Sequence, residues 1–322
     1  MADAYGAHQP VLLEPACAAL LSAEAGVDGV YVDGTFGRGG HAGALLARLS
    51  SKGKLIAIDR DEQAIAAGRE RYGNDERLTL VHASFSQMTQ VVNDVGYAQV
   101  DGVLMDLGVS SPQLDQAARG FSFMHDGPLD MRMDTSAGAT AAQWLAEVTE
   151  QGLARVLRDY GEEPQARRLA RVLCEARERA PIETTAQLAA LISTTLGRRD
   201  PKRHPATRAF QALRIQVNGE LDELRCALAQ CEALLADGAV MAVISFHSLE
   251  DRMVKQFIRD RSRVDPKLAR LPVVPEHAQP RLTRLGAAVR ADGAEVTANP
   301  RSRSAVLRCA RRLPRRRGQH RG

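Results

Sequence analysis

Three carboxylates in the first third of the chain carry most of its legible chemistry: Asp33, Asp59 and Asp106. Asp33 opens the glycine-rich stretch Asp33-Gly-Thr-Phe-Gly-Arg-Gly-Gly-His41. Asp59 ends the apolar run Lys54-Leu-Ile-Ala-Ile-Asp59, twenty residues after Gly39. Asp106 ends Val100-Asp-Gly-Val-Leu-Met-Asp106. A glycine-rich turn between a strand and a helix, followed by an acid at the next strand end, is the layout that cradles an adenosine-containing cofactor. Its backbone passes close to the ligand, and the acid accepts hydrogen bonds from ribose hydroxyls. Gly37-x-Gly39-x-x-Ala42 alone is weak evidence, because such turns also occur for purely structural reasons. The acids discriminate further. Three carboxylates at neighbouring strand ends repel a pyrophosphate, which disfavours NAD. They suit S-adenosylmethionine, which has no phosphate and carries a sulfonium and an ammonium.

The elements that must position these acids alternate. Strand patterns at 29–33, 54–58, 78–82 and 100–105 are separated by helical stretches at 41–49 and 62–71. That alternation predicts right-handed crossovers and a parallel sheet with both faces covered. After Asp106 it stops. Residues 115–205 read as loop and then helix, with helical spacing over 141–157, 165–178 and 185–196. One long helix is predicted from Phe210 to Leu235, laid on the sheet. Ala239–Ile244 returns as a buried strand, and Ser248-Leu-Glu-Asp251 reads as the capping box of the next helix. Residues 262–300 carry few signals, and Ser304–Arg308 fits a last short strand. The expected organisation is an α/β sheet domain made of 1–114 and 206–313, an inserted helical domain over 115–205, and a basic tail over 314–322.

Charge is unevenly spread. Residues 301–322 hold nine arginines and no acid, and without them 34 basic residues face 39 acidic ones, a net of −5. An acidic body with a basic end predicts a nucleic-acid arm, against the plainer reading of a solvated terminus. Arg198, Arg199, Lys202, Arg203 and Arg208 form a second basic cluster. The five cysteines are scattered without a Cys-x-x-Cys pair, so neither zinc nor structural disulfides are expected, and no metal site is assigned. No apolar run is long enough to span a bilayer, and no secretory signal is read at the N-terminus, so a cytoplasmic protein is expected.

Several segments together resemble the bacterial 16S rRNA (cytosine-N4)-methyltransferase family: Gly37-Arg-Gly-Gly-His41, Ala57-Ile-Asp-Arg-Asp61, Asp106-Leu-Gly-Val-Ser-Ser-Pro-Gln113, Arg119-Gly-Phe-Ser-Phe123, Gly127-Pro-Leu-Asp-Met-Arg-Met-Asp134, Ser245-Phe-His-Ser-Leu-Glu-Asp-Arg252 and Asn299-Pro-Arg-Ser-Arg-Ser304. The match runs from about His8 to Leu313. It implies a class I (Rossmann-like) methyltransferase sheet with an inserted all-helical domain. It also implies methylation of a decoding-centre cytidine, position 1402 of 16S rRNA, with the small ribosomal subunit as partner. By position, the resemblance assigns Gly39, Gly40 and His41 to the amino-acid part of S-adenosylmethionine and Asp59 to the ribose. Phe85 would lie along the adenine, and Asp106 and Gln113 would complete the pocket.

The exocyclic nitrogen of cytosine is a poor nucleophile, because its lone pair is delocalised into the ring. Alignment with the methyl group and a hydrogen-bond acceptor for the amino protons both help. Asp106 is the candidate catalytic acceptor, with cofactor binding as its competing role. The loop after Asp106 lacks the aromatic that stacks on the base in other amino-methyltransferases. Phe121 or Phe123 is a candidate replacement, or both simply anchor the insertion. Cytosine-C5 chemistry needs a cysteine nucleophile beside a proline, and none is present. Ser245, His247 and Asp251 do not form a hydrolytic triad, lying on one strand-to-helix turn without a Gly-x-Ser-x-Gly elbow. His247 is expected to orient a loop or touch substrate. Two other readings stay open: a nicotinamide-dependent oxidoreductase, and a non-catalytic RNA-binding factor.

Overall fold

The computed structural model describes residues 10–197, 204–264, 267–272 and 274–314. The basic positions Arg198, Arg199, Lys202 and Arg203, and the arginines of the tail from Arg315 onward, lie outside them. The chain forms two compact units: one from Met1–Gly108 and Glu223 onward, the other from Val109–Asp222. The helical unit is therefore wider at both ends than the 115–205 read from sequence.

The first unit is built on one sheet. Its strands are β1 (Val30–Asp33), β2 (Lys54–Asp59), β3 (Leu78–His82), β4 (Val100–Asp106), β5 (Leu235–Ser245), β6 (Leu282–Arg284), β7 (Val289–Arg290) and β8 (Val306–Arg312). The order is β3-β2-β1-β4-β5-β8-β6, with β7 also on β8. The first five strands are parallel, and β8 enters antiparallel to β5. A parallel sheet whose order reverses at β1, with one antiparallel strand, β8, set between β5 and β6, is the class I methyltransferase sheet.

Side chains alternate between its faces. Val32, Ile56, Ile58, Val103, Met105, Met241 and Val243 form one buried face, packed with Leu224, Leu228 and Cys231 and with Val254 and Ile258. Tyr31, Leu55, Ala57, Leu104, Ala242 and Ile244 form the other, packed with the helices Leu13–Leu20 and Gly40–Leu46. All of these residues are under one-tenth exposed, so both faces are covered, as the continuous apolar runs require.

The predicted long helix is two helices. Thr207–Asn218 ends at Gly219, whose φ of 60° is left-handed, and Glu220–Leu234 begins directly after it. A residue without Cβ adopts that conformation at no steric cost, so the heptad-like spacing runs across a break. Likewise 141–157 divides into Ala141–Glu147 and Glu150–Asp159, because Thr149 caps a new helix through Gly152 N.

Two motifs that carried the resemblance prove to be scaffolding of the helical unit. Arg119 is buried and donates to the carbonyls of Arg132 and Met133. Leu129, Met131 and Met133 enter the unit's core. Asn218 ties the same stretch down, accepting from Met133 N and donating to Met131 O. Phe121 is buried there, and Phe123 stacks on His204 and meets Phe210 edge-on. Both phenylalanines thus pack within this unit, Phe121 buried and Phe123 partly so. Arg208, from the second basic cluster, faces Glu163 at 4.0 Å.

The basic end is also partly structural. β8 consumes three of its arginines. Arg308 makes a two-pronged pair with Asp251, Arg311 donates to Ser22 O, and buried Arg312 lies 3.9 Å from Glu232. The reading of 301–322 as a single arm is corrected accordingly: as far as Arg312 it belongs to the sheet unit.

Candidate active site

The carboxyl edge of the sheet gathers the acids. Asp33 pairs with Ala57 on one side and Leu104 on the other, so Asp59 and Asp106 stand two residues beyond it. All three share one side-chain parity and so one face. Asp33 is recessed by roughly 7 Å relative to its neighbours, at about 3.3 Å per residue. It is wholly buried. Its Oδ1 accepts from Thr35 N at 3.1 Å, and its Oδ2 has no hydrogen-bond partner. Burial pushes its carboxyl up to about 7, with the charge of Asp59 adding to the effect and the Thr35 amide opposing it.

Asp106 is set by the same turn, since its backbone N donates to Thr35 Oγ1 at 2.6 Å. About a quarter of its side chain is open, but Oδ1 is enclosed and unpartnered. Burial, then the charges of Asp33 and Glu250, hold its carboxyl well above the ordinary range. His41 Nδ1 lies 3.5 Å from Asp106 Oδ2. That contact is not an ion pair: burial pushes His41 down to about 4, so it is neutral at pH 7. Its Nε2 lies 3.1 Å from the carbonyl of Val11, which can only accept, so Nε2 carries the proton and Nδ1 is bare. A bare nitrogen tolerates a carboxyl there when the carboxyl is protonated. Burial and the bare nitrogen both favour the protonated form of Asp106 in the ligand-free site.

Asp59 has a second task that the sequence did not show. Oδ2 accepts from Gly37 N at 2.6 Å and Oδ1 from Asp61 N at 2.8 Å, which clamps the glycine turn to β2. A carboxylate has about four acceptor positions, so two remain for ribose hydroxyls. Gly39 is required by the protein itself. Its φ is 73°, and a Cβ there would sit 2.7 Å from the rings of Phe36 and Tyr72. Gly40 backs onto Pro10 in the same way. Phe85 starts a turn capped by Ser84, and its Cβ lies 3.3 Å from where a Gly34 side chain would begin. Gln113 belongs to the other unit, where its Oε1 accepts from Ser110 N and closes the box of its own short helix. The structure thus brings Gly39, Gly40, His41, Asp59, Phe85 and Asp106 to one sheet edge, and gives Gln113 a capping role.

Sequence reasoning passed over three residues. Thr35 joins the β1 and β4 ends. Glu250, buried, accepts from Phe246 N and adds to the field at Asp106. It also corrects the expected capping box: His247, not Ser248, is the cap, with Glu250 as its partner. Phe246 is the third. Ile244 lies level with Asp106, so Phe246 stands two residues beyond it and packs with the same face as the acids. Its half-buried ring lies 3.5 Å from where a Gly108 side chain would begin. The signal was the strand parity carried two residues past Ile244.

The two orphaned carboxyl oxygens decide what this edge can hold. Buried acceptors without donors call for a ligand that brings positive charge or N–H groups, not phosphate. That chemistry agrees with the family comparison, in which residues 6–313 match the model of the MraW methylase family. The chain belongs to that family. Curated relatives include a ribosomal RNA small subunit methyltransferase H from Thioalkalivibrio sulfidiphilus, 53% identical over 309 residues, covering 95% of this chain and 98% of that protein. Another of the same name, from Azoarcus sp., is 54% identical over 306 residues, covering 95% and 96%. As a methylase with a class I sheet, the chain takes its methyl group from S-adenosylmethionine. Its sulfonium and ammonium match the unpartnered oxygens of Asp33 and Asp106.

Proposed function

We propose that this chain methylates the exocyclic N4 of the cytidine at position 1402 of 16S rRNA, acting on the small ribosomal subunit in the cytoplasm. The names of its relatives support the small-subunit RNA. The observation that carries the chemistry is Asp106: a carboxyl at the β4 end with an enclosed, unpartnered oxygen and, among the described residues, no competing cation.

S-adenosylmethionine supplies an electrophilic methyl group on a positively charged sulfur. The recessed Asp33 would offer its carboxyl to that positive charge. Asp59 would hold the ribose with its two remaining acceptor positions, and Phe85 would flank the adenine. Gly39, Gly40 and His41 would line the amino-acid end. Gln113 contributes by fixing the turn that follows β4. Asp106 ionises once a cation lies beside it, and its carboxylate accepts a hydrogen bond from the cytosine amino group. That bond draws the nitrogen lone pair out of conjugation. The nitrogen gains the methyl group and gives up a proton. Asp106 takes that proton, because its ionised form loses support as the neighbouring positive charge disappears. His41 Nδ1 then receives the Asp106 O–H, as in the ligand-free site.

Phe246 supplies the missing aromatic face. Phe246 follows β5, beyond β4 and Asp106 in the strand order, and packs with the face that carries the acids. A flipped target base would find the Phe246 ring beside Asp106.

Cysteine-based C5 chemistry has no support here. Burial pushes Cys17 up to about 11 and Cys231 and Cys309 up to about 12; Cys174 is raised, and Cys226 is exposed on the helix Glu220–Leu234. The test is transfer of a labelled methyl group into small subunits lacking the mark, followed by nucleoside mass spectrometry. N4-methylcytidine is the expected product; 5-methylcytidine or a ribose methyl would refute the proposal.

A further inference from the structure

The segment Asn299-Pro-Arg-Ser-Arg-Ser304 lies beside the site. Because β8 runs antiparallel to β5, its first residue, Val306, pairs with Ser245 at the last position of β5. The turn Pro300–Ser304 therefore sits at the carboxyl edge of the sheet, next to the strand end that carries Phe246. On the other side of β8, Arg290 of β7 pairs with the same Val306. Arg290, Val306, Ser245 and the end of β4 form one row, about 14 Å across at the inter-strand spacing.

The turn is built to show its arginines. Ser302 is wholly buried, and its Oγ donates to Asn299 O at 2.8 Å. Asn299 Oδ1 accepts from Arg301 N at 3.1 Å, and Ala305 N donates to Ser302 O at 2.9 Å. With Ser302 turned inward, Arg301 and Arg303 are exposed on either side, and Arg290 is exposed as well. The helix before the turn is tied down by its own acids: Asp292 accepts from Glu295 N, and Glu295 from Leu12 N. In a body whose charge is otherwise acidic, this puts positive charge at the one edge where a polyanion must approach.

We propose that Arg290, Arg301 and Arg303 form a phosphate-binding rim that holds the RNA strand flanking the target base. This rests on RNA being the substrate. The rim explains how an acid-lined site admits a phosphate backbone: the acids are recessed and the arginines stand at the margin.

The test compares wild type, the double variant Arg301→Ala/Arg303→Ala, Arg290→Ala, and the lysine pair Arg301→Lys/Arg303→Lys on unmethylated small subunits. Log kcat/KM is followed against log salt, from about 50 to about 200 mM. For the double variant the slope should flatten by roughly 0.7–0.9 for each phosphate that is no longer neutralised, and KM should rise on the order of tenfold. Cofactor affinity by calorimetry should hold, and the lysine pair should restore most of the slope. A wild-type slope in the double variant, lysines no better than alanines, or cofactor affinity falling in step would each overturn the rim. Wild type leaving the rRNA unmethylated would overturn the substrate assignment and the rim with it; wild type active with unaltered slopes in the variants would overturn the rim alone.

Discussion

Replacing Asp33 with Asn should change how the cofactor-free protein responds to pH, in a direction fixed by where the carboxyl lies. Its folded-state pKa of about 7 stands roughly three units above the unfolded value. Between those two values the folded protein binds the extra proton. The Asp33 contribution to stability is therefore fully present below about pH 4 and is lost as pH rises through about 7. At 1.36 kcal/mol per unit, the loss amounts to about 4 kcal/mol, an upper figure for a group that ionises only once the surroundings relax. An amide at position 33 keeps the acceptor for Thr35 N and does not titrate. Leaving its N–H groups without acceptors costs about 1–3 kcal/mol at every pH. That cost shifts the variant's curve without tilting it. Removing the Asp33 charge also eases ionisation of Asp106, which tilts the difference the same way. The assay is urea unfolding of both proteins without cofactor at several pH values between 4 and 8.5. The difference in unfolding free energy should swing toward the variant by several kcal/mol as pH rises. Parallel curves would refute the burial argument, because the effect of the substitution on Asp106 tilts the difference in the same direction and cannot cancel the swing.

Three further outcomes are expected. Asp59→Ala removes the clamp on Gly37 and the proposed ribose partner, so cofactor affinity should drop about ten- to a hundredfold; an unchanged dissociation constant by calorimetry would place the ribose elsewhere. Phe246→Ala should lower kcat/KM for the RNA about ten- to a hundredfold, from about 1–3 kcal/mol of stacking, with Tyr at that position restoring most of it. Cofactor affinity falling equally would assign the ring to the cofactor pocket instead. Phe123→Ala should destabilise the helical unit by about 1–3 kcal/mol, less than for a fully buried ring, seen as early loss of helical signal on heating, without a selective defect in base recognition.

The strands that carry the acids were legible because each is a short apolar run closed by a charge, a pattern that survives without tertiary context. Their relative depth was not. Sequence spacing says nothing of register, and only the pairing of Asp33 with Ala57 and Leu104 shows one acid recessed below the other two. β6 and β7 escaped notice because three- and two-residue strands exist only by pairing with β8, far along the chain. The basic end misled for a related reason. Composition gathered nine arginines into one arm, while Val306–Arg312, its apolar residues all buried, is a strand whose arginines pair with the sheet unit. The second task of Asp59 and the capping role of Gln113 depend on backbone amides, which no residue pattern displays.

Acids that hold their protons until a cation arrives are central to this mechanism, and proton counting on cofactor binding tests them directly. Calorimetric titration with S-adenosylmethionine at about pH 6.5, in two buffers of different ionisation enthalpy, gives the number of protons exchanged. Asp33 and Asp106 together should release on the order of one proton or more per cofactor bound, with affinity rising as pH increases. Heats that do not depend on the buffer, or protons taken up, would contradict it.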